Sequence, residues 1–267
     1  MARNLPTYEI EGTRFVVDIE KDELRQADRP DNVIRFDQME IHNSELSFFY
    51  DTNEKEISPI WEEGRTVEVV LPQRTKLDPV GMSEKYNCQL EEVTKKNDYE
   101  VIVDQELVNK RLSGFQPMID IAGYPFYVNI RFRYLNPKDD PSTFIDLRQL
   151  HESPDGESYR FFYDPVERKA VDIDPQITEM PKGILVVEIP GDHKLDPVGV
   201  AREEGMGQAE MKDWLLRYPI QKELKAAIIP ISETAVPKII EANRAKAKIP
   251  GLSKGAKKAK IKRRRHR

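Results

Sequence analysis

The sequence is poor in the residues that build covalent cross-links and metal centres. Its 267 residues include one cysteine, Cys88, which excludes an internal disulfide and a zinc site made of thiolates. No histidine lies at metal-ligand spacing from another histidine or from the cysteine; the four are His42, His151, His193 and His266. The sequence therefore predicts neither a metal site nor a cofactor.

Long apolar runs are also missing. The longest, Ala226 to Ile231, is interrupted by Pro230 and is far shorter than the roughly 20 residues that span a bilayer. The first residues, MARNLPTYEIEG, lack the apolar core of a signal peptide. Together with the lone cysteine, these features lead us to expect a cytoplasmic protein without membrane contact.

Catalytic signatures are absent as well. The sequence has no glycine-rich phosphate loop, no GxSxG elbow and no HExxH helix. Carboxylates are abundant, notably at Asp139-Asp140 and Asp172-Ile173-Asp174. Such groups are typical of solvated strand edges in an acidic protein, although a two-metal nuclease also uses carboxylate ligands. We favour a non-enzymatic protein and keep, as the alternative, a metal-dependent enzyme that acts on nucleic acid.

Acidic residues are missing from the C-terminal end. Residues 244–267 hold twelve of the 42 Lys and Arg and no Asp or Glu, which leaves 30 basic residues against 47 acidic ones in residues 1–243. The body thus carries a formal charge of −17 and the end of the chain +12. Such a separation of charge indicates two parts with different partners.

The predicted nucleic-acid-binding site is the basic tail, residues 248–267. Its Lys and Arg can neutralise phosphates and release counterions, which gives affinity without sequence reading. The tail has no aromatic residue for base stacking and no apolar periodicity, so disorder is expected. Alternatives are an arm that docks on the protein's own acidic body, a solubility tail and, in a eukaryote, a nuclear import signal. The residues assigned to phosphate contact are Lys254, Lys257, Lys258, Lys260, Lys262, Arg263, Arg264, Arg265 and Arg267.

Most of the chain consists of two copies of one unit. The hexapeptide KLDPVG occurs at 76–81 and again at 194–199, each time after a strand-like run. The pattern Phe-x-Val-x-Ile at 15–19 recurs at 126–130, and the FFYD motif of 48–51 recurs at an offset of 113. The offset grows from 111 through 113 to 118 only between predicted elements, as insertions confined to loops would make it do.

Each copy is predicted to be mainly antiparallel β-structure that ends in a short helix. Alternating apolar residues, as in RFVVDI and PFYVNI, predict half-buried strands. Asp before Pro in each KLDPVG is a preferred helix start, because the carboxylate accepts hydrogen bonds from free N–H groups and Pro has none to leave unpaired. We therefore predict Asp78 and Asp196 as N-caps; a metal ligand or a catalytic acid is the alternative reading.

The predicted fold class is α+β: two tandem β repeats, each ending in a short helix, then C-terminal helices and a disordered basic tail. Apolar residues at helical spacing from Met211 to Leu224 and from Val236 to Ala242 predict the C-terminal helices. The predicted boundaries are 5–87 for the first repeat, 88–115 for a linker with a weak helical pattern, 116–204 for the second repeat, 205–247 for the C-terminal helical segment and 248–267 for the tail.

The segment LPTYEIEGTRFVVDIEKDELRQADRPDN near the start, combined with the two KLDPVG blocks, resembles uncharacterised duplicated proteins of Bacteroidota and their mobile elements. The resemblance covers residues 5–204. It implies a bacterial cytosolic protein of plasmid, transposon or phage origin, and it carries over no catalytic residues.

The function predicted from these observations is a non-enzymatic binding or scaffold protein that contacts nucleic acid non-specifically through its tail. The acidic body should repel the phosphate backbone and is expected to face a protein partner. A structural component of a phage or mobile-element assembly is a further alternative.

Overall fold

The chain is an α+β protein that divides into two compact units. The computed structural model describes residues 3–140 and 142–247, together with the backbone of 262–263. Unit 1 comprises Met1–Leu112 and Ala201–Ile220, and unit 2 comprises Ser113–Val200 and Gln221–Arg267. None of the described helices is long and apolar enough to cross a membrane.

The first copy of the repeat lies in unit 1 and contains two antiparallel sheets. Its strands are β1 (Thr7–Ile10), β2 (Thr13–Asp18), β3 (Glu23–Gln26), β4 (Val33–Arg35), β5 (Glu40–His42), β6 (Glu45–Asp51), β7 (Ile57–Ser58) and β8 (Thr66–Leu71). Strands β1 to β4 form a meander. In the second sheet, β8 pairs along β6, while β5 and β7 pair with its opposite edge.

Five helices follow these strands. They are α1 (Arg74–Leu77), α2 (Pro79–Tyr86), α3 (Leu90–Val93), α4 (Asp98–Ile102) and α5 (Gln105–Leu112). The last three occupy the predicted linker, so its weak helical pattern corresponds to three short helices rather than one. Helix α4 begins at a capping box, in which Asn97 and Glu100 each accept a hydrogen bond from the other's backbone N–H.

Strand β2 shows how the period-two pattern builds the core. Phe15 and Val17 are fully buried, and Val17 lies opposite Leu24 of β3. The ring of Phe15 meets that of Tyr50 in β6 edge-on, with 6.1 Å between centroids. The two sheets of unit 1 therefore share one core, in which each fully buried large side chain contributes roughly 1.5–3 kcal/mol.

The second copy repeats the same order of elements, and all of it up to Val200 lies in unit 2. They are β9 (Met118–Ile121), β10 (Tyr124–Asn129), β11 (Tyr134–Pro137), β12 (Ile145–Asp146), β13 (His151–Glu152), β14 (Ser158–Asp164), β15 (Lys169–Asp172), β16 (Leu185–Pro190), α6 (Asp192–Leu195) and α7 (Pro197–Glu203). The pairing of Val128 with Leu135 repeats that of Val17 with Leu24. Phe126 meets Tyr163 edge-on at 6.3 Å, as Phe15 meets Tyr50. The α+β prediction is confirmed.

The segment that follows the second copy differs from the prediction of a helical stretch over 205–247. Helix α8 (Gln208–Arg217) belongs to unit 1, and residues of unit 2 then form β17 (Leu224–Lys225), β18 (Ala227–Ile229) and α9 (Val236–Ala247). The helical prediction is wrong for 224–229. Pro219 and Pro230 interrupt any helix there, and open sheet edges compete for the chain: β17 pairs with β9 and β18 pairs with β16.

The predicted disordered tail lies outside the described residues, with one exception. Lys262–Arg263 forms a two-residue strand, β19, that pairs antiparallel with β15. In this register Arg263 lies opposite Val171 and Lys262 lies opposite Asp172. Part of the tail backbone is therefore added to the edge of a sheet of unit 2.

Candidate functional site

The basic tail is described at two of its nine predicted contact residues, and there only as backbone. Lys262 and Arg263 form β19, and the backbone pairing of β19 with β15 is what the docking-arm reading of the tail requires. A strand edge offers unpaired N–H and C=O groups to any extended segment. The other seven lie outside the described residues: Lys254, Lys257, Lys258, Lys260, Arg264, Arg265 and Arg267.

The two aspartates of the KLDPVG motifs lie at helix starts. Asp78 is the N-cap of α2, and its Oδ1 accepts a hydrogen bond from Gly81 N at 2.9 Å. Asp196 accepts from Gly199 N at the same distance. Asp78 also binds both terminal nitrogens of Arg3 at 2.6 Å, and this hydrogen bond raises the pKa of Arg3. Both carboxylates are buried and serve as structural acceptors.

The carboxylates considered for a metal site form local contacts instead. Asp139 pairs with Arg168, and Asp140 accepts from the hydroxyls of Ser142 and Thr143 at 2.5 and 2.6 Å. These hydrogen bonds lower the pKa of both aspartates. Over residues 3–140 and 142–247, no group of three or more His, Cys, Asp or Glu is placed to hold a metal ion.

A surface of unit 1 that the sequence did not suggest carries exposed apolar side chains. We call it the outer face of unit 1: Phe49, Ile60, Trp61 and Val70, which are 36, 58, 55 and 49% exposed. Phe49 and Trp61 meet edge-on, with 5.6 Å between ring centroids. Strand pairing places Ser47 opposite Val70 and Phe49 opposite Glu68, so β6 and β8 together display this face.

Unit 2 covers its own matched face with a helix. Phe162 corresponds to Phe49, and it packs with Ile177 and with Val236 and Ile240 of α9. The edge of β16 is paired with β18. The same strands thus carry an additional helix and an additional strand in unit 2.

Matched positions show how the outer face of unit 1 differs. Val186, which is 2% exposed and lies opposite Phe162, is replaced by Glu68. Glu188, which binds Arg160 at 2.6 Å, is replaced by the exposed Val70. Among the described residues no strand pairs with the outer edge of β8. Unit 1 has therefore gained an exposed apolar residue where unit 2 has an ion pair.

The charge around the outer face of unit 1 is negative. Register in the sheet places Glu40 and Glu45 on the side of Ser47 and Phe49, and Glu68 lies directly opposite Phe49. Three glutamates beside aromatic side chains favour a partner that brings positive charge and apolar surface together. The sequence signal that could have revealed this face is the pair of substitutions at 68 and 70 between the two copies.

The comparison that informs this chain is the one between its own two copies. Residues that are the same at matched positions of the two copies maintain the shared fold. Residues that differ between the copies indicate a property of one unit. The resemblance to duplicated proteins of Bacteroidota stays an expectation from the sequence. No family model, no curated protein and no solved structure matches the chain.

Proposed function

We propose that the protein is a non-enzymatic binding or scaffold protein, which holds nucleic acid through the basic tail and a protein partner through the acidic body. The observation that carries the proposal is the charge separation, +12 in residues 244–267 against −17 in residues 1–243. A phosphate backbone is attracted by the first part and repelled by the second. The acidic surface of the body is therefore expected to face a partner that does not present a phosphate backbone.

The outer face of unit 1 supports a protein partner of defined chemistry. Exposed aromatic residues are typical anchors of protein interfaces. On unit 2 the matched face is covered by α9, whose charged residues are Lys238, Glu241, Arg244 and Lys246. An amphipathic helix with an apolar stripe and Lys or Arg on its flanks fits the outer face of unit 1 in the same way.

A gel shift with generic DNA or RNA tests the tail. We expect the full chain to bind both, with a steep loss of affinity as salt is raised, because each neutralised phosphate contributes roughly −0.7 to −0.9 to the log–log slope. Deletion of residues 254–267 should abolish the shift. Sequence preference should be slight, because a run of Lys and Arg without aromatic residues does not read base edges.

A variant of unchanged length is the matched control for the deletion. In this tail-Gln variant the nine Lys and Arg of 254–267 are replaced by Gln, which removes the charge and keeps the chain. It should bind nucleic acid as poorly as the deleted chain. Binding that survives either change, or that does not respond to salt, would contradict the proposal.

The protein partner is tested by crosslinking and pull-down after nuclease treatment, which removes anything bridged by nucleic acid. Val70→Lys should reduce recovery of the partner about tenfold, since loss of an interface anchor costs at least 1–2 kcal/mol. The matched control is Val166→Lys, because Val166 is a valine of unit 2 that is 86% exposed. Equal recovery with both variants would remove the outer face of unit 1 from the proposal.

The metal-dependent enzyme remains the alternative. Incubation of labelled DNA and RNA with the full chain and Mg²⁺ or Mn²⁺ separates the two functions. Cleavage that chelation abolishes, and that purification does not remove, would favour the enzyme over the scaffold.

A further inference from the structure

Unit 1 contains a cavity of about 350 Å³ with an apolar floor and a basic rim. Leu46, Ile102 and Leu216 are buried side chains of the floor, and Tyr86 lines the wall. Burial raises the pKa of Tyr86 to about 12, so its ring carries a neutral hydroxyl. The volume lies at the lower end of the range of small-molecule sites, roughly 300–1,000 Å³.

Four basic residues line this cavity: Lys21, Arg35, Arg74 and Arg217. Arg74 is 8% exposed, and its Nε donates to Asp98 Oδ2 at 3.0 Å. Asp98 is also bound by the backbone N–H groups of Arg74 and Thr75, so both of its carboxylate oxygens accept hydrogen bonds. Within the described residues, the terminal nitrogens of Arg74 make no hydrogen bond.

The other charges around the cavity leave an excess of positive charge. The side chains of Lys21 and Arg35 have no ion-pair partner in the described parts of the chain. Asp22 is bound by Lys85 at 2.5 Å. Arg217 donates to the carbonyl oxygen of Asp37 at 3.0 Å, which leaves the Asp37 carboxylate as an acceptor at the rim.

In unit 2 the matched place is filled by the protein itself. Tyr159 stands where unit 1 has Leu46, and it is 2% exposed. Its hydroxyl donates to Asp192 Oδ1 at 2.9 Å and accepts from Arg133 Nη2 at 2.8 Å. Arg133 and Asp192 also form an ion pair at 3.2 Å. An aromatic ring and a closed pair of charges therefore occupy the space that is empty in unit 1.

The charges at the matched positions are reversed between the two units. Asp192 corresponds to Arg74, and Arg133 corresponds to Asp22. At two further positions, Asp146 and Arg148 of unit 2 correspond to Arg35 and Asp37 of unit 1. Asp146 and Arg148 form an ion pair with each other at 2.8 Å. A group that takes the place of the Tyr159 ring in unit 1 would thus meet an arginine where Tyr159 meets a carboxylate.

We propose that this cavity binds a mononucleotide, with the base in the place of the Tyr159 ring and the phosphate on Arg74, Arg35 and Lys21. A phosphate carries about two negative charges near neutral pH, which three cationic side chains can balance. Arginine binds phosphate in bidentate fashion. The Asp37 carboxylate accepts from a ribose hydroxyl or a base amino group. None of the described residues that line the cavity belongs to the outer face of unit 1.

The test uses the tail-Gln variant, which removes nucleotide binding by the tail itself. Isothermal titration with AMP, GMP, CMP and UMP should show saturable binding of at least one, and inorganic phosphate should bind at least about tenfold more weakly because it lacks the ring. Leu46→Tyr should fill the cavity as Tyr159 does and weaken binding at least tenfold. Arg35→Glu should do the same by reversing one charge.

A matched control and a second ligand complete the experiment. Arg14→Glu changes an exposed arginine of unit 1 that does not line the cavity, and it should leave the affinity unchanged. No saturable binding, phosphate binding as tight as the nucleotide, or equal affinity in Arg35→Glu and the parent would overturn the proposal. Competition by a 5′-phosphorylated oligonucleotide would identify a nucleic-acid end as the source of the nucleotide, and failure to compete would identify a free one.

Discussion

Asp78 and Asp196 show how a single residue type is used twice for the same purpose. Each ends one short helix and begins the next, since Asp78 is the C-cap of α1 and the N-cap of α2, and Asp196 is the C-cap of α6 directly before α7. Glycine at the third helical position gives the carboxylate room: a Cβ on Gly81 or Gly199 would lie 2.3 or 2.1 Å from the aspartate oxygen. The motif KLDPVG is therefore a tight helix junction.

Removal of either cap should lower stability. Asp196→Ala should cost about 1–2 kcal/mol of unfolding free energy, because a backbone N–H loses its acceptor. Asp78→Ala should cost at least as much, because Arg3 loses its partner as well. Urea unfolding measures the loss, and Asp196→Asn is the control that keeps an acceptor oxygen for Gly199 N. Loss of nucleic-acid or partner binding without any loss of stability would instead indicate a functional role for these carboxylates.

Asp51 should make unit 1 sensitive to acid. Its carboxylate accepts from the backbone N–H groups of Glu54 and Asn53 and from Arg65, and these contacts lower its pKa below the ordinary 3.8. A lowered pKa in the folded state stabilises the protein above the unfolded pKa, and this stability is lost as the pH falls through the folded value.

Unfolding by urea at several pH values tests this effect. Between about pH 5 and pH 2, Asp51→Asn should lose stability less steeply than the parent. Asp31→Asn is the control, because Asp31 is exposed and forms no ion pair in the part of the chain that the structure describes. Parallel curves for Asp51→Asn and the parent would contradict the assigned contacts.

At the scale of elements, α9 distinguishes the two units. Val236 and Ile240 are 2 and 6% exposed against the sheet of unit 2, whereas the matched sheet of unit 1 keeps Phe49 and Val70 exposed. The same fold thus has one covered and one uncovered face. Burial of the first stabilises unit 2, and the second is available for binding.

Paired truncations measure this difference. Ile240→Ala should cost about 2–4 kcal/mol, as buried Ile-to-Ala changes do, while Val70→Ala should stay within about 0.5 kcal/mol, as expected at an exposed position. Urea unfolding followed by circular dichroism gives both values. A large loss at Val70 would mean that the outer face of unit 1 is needed for folding rather than for binding.

At the scale of the whole molecule, the tail can bind either of two partners, nucleic acid or the sheet of unit 2. Its Lys and Arg suit phosphate, and its backbone at 262–263 pairs with β15. A two-residue strand contributes few hydrogen bonds, each worth about 0.5–1.5 kcal/mol net. Deletion of residues 254–267 should therefore leave the melting temperature nearly unchanged.

Comparison with the tail-Gln variant separates pairing from charge. If the tail is mainly a docking arm, its deletion lowers the melting temperature by several degrees and the full chain binds nucleic acid poorly. If the tail-Gln variant keeps the parent's melting temperature and the deleted chain does not, backbone pairing is the cause. Differential scanning calorimetry at low and high salt measures the melting temperatures of the parent, the tail-Gln variant and the deleted chain.

The duplication, the strands and the helix junctions were determined by the sequence itself. Period-two alternation around Phe15 and Phe126 specifies which residues face a core, and Asp-Pro specifies a helix start through local hydrogen bonding. Both signals are short-range, so they can be seen without knowing what lies across the molecule.

Only the tertiary structure decided which surfaces remain open. Residues 224–229 have a pattern compatible with a helix, but they form strands because the edges of β9 and β16 provide partners that no local pattern shows. The cavity of unit 1 arises because Leu46 and Tyr159 fill the same place differently. Its basic rim combines residues distant in the sequence, from Lys21 to Arg217. Contacts over such separations depend on packing, which a linear pattern does not encode.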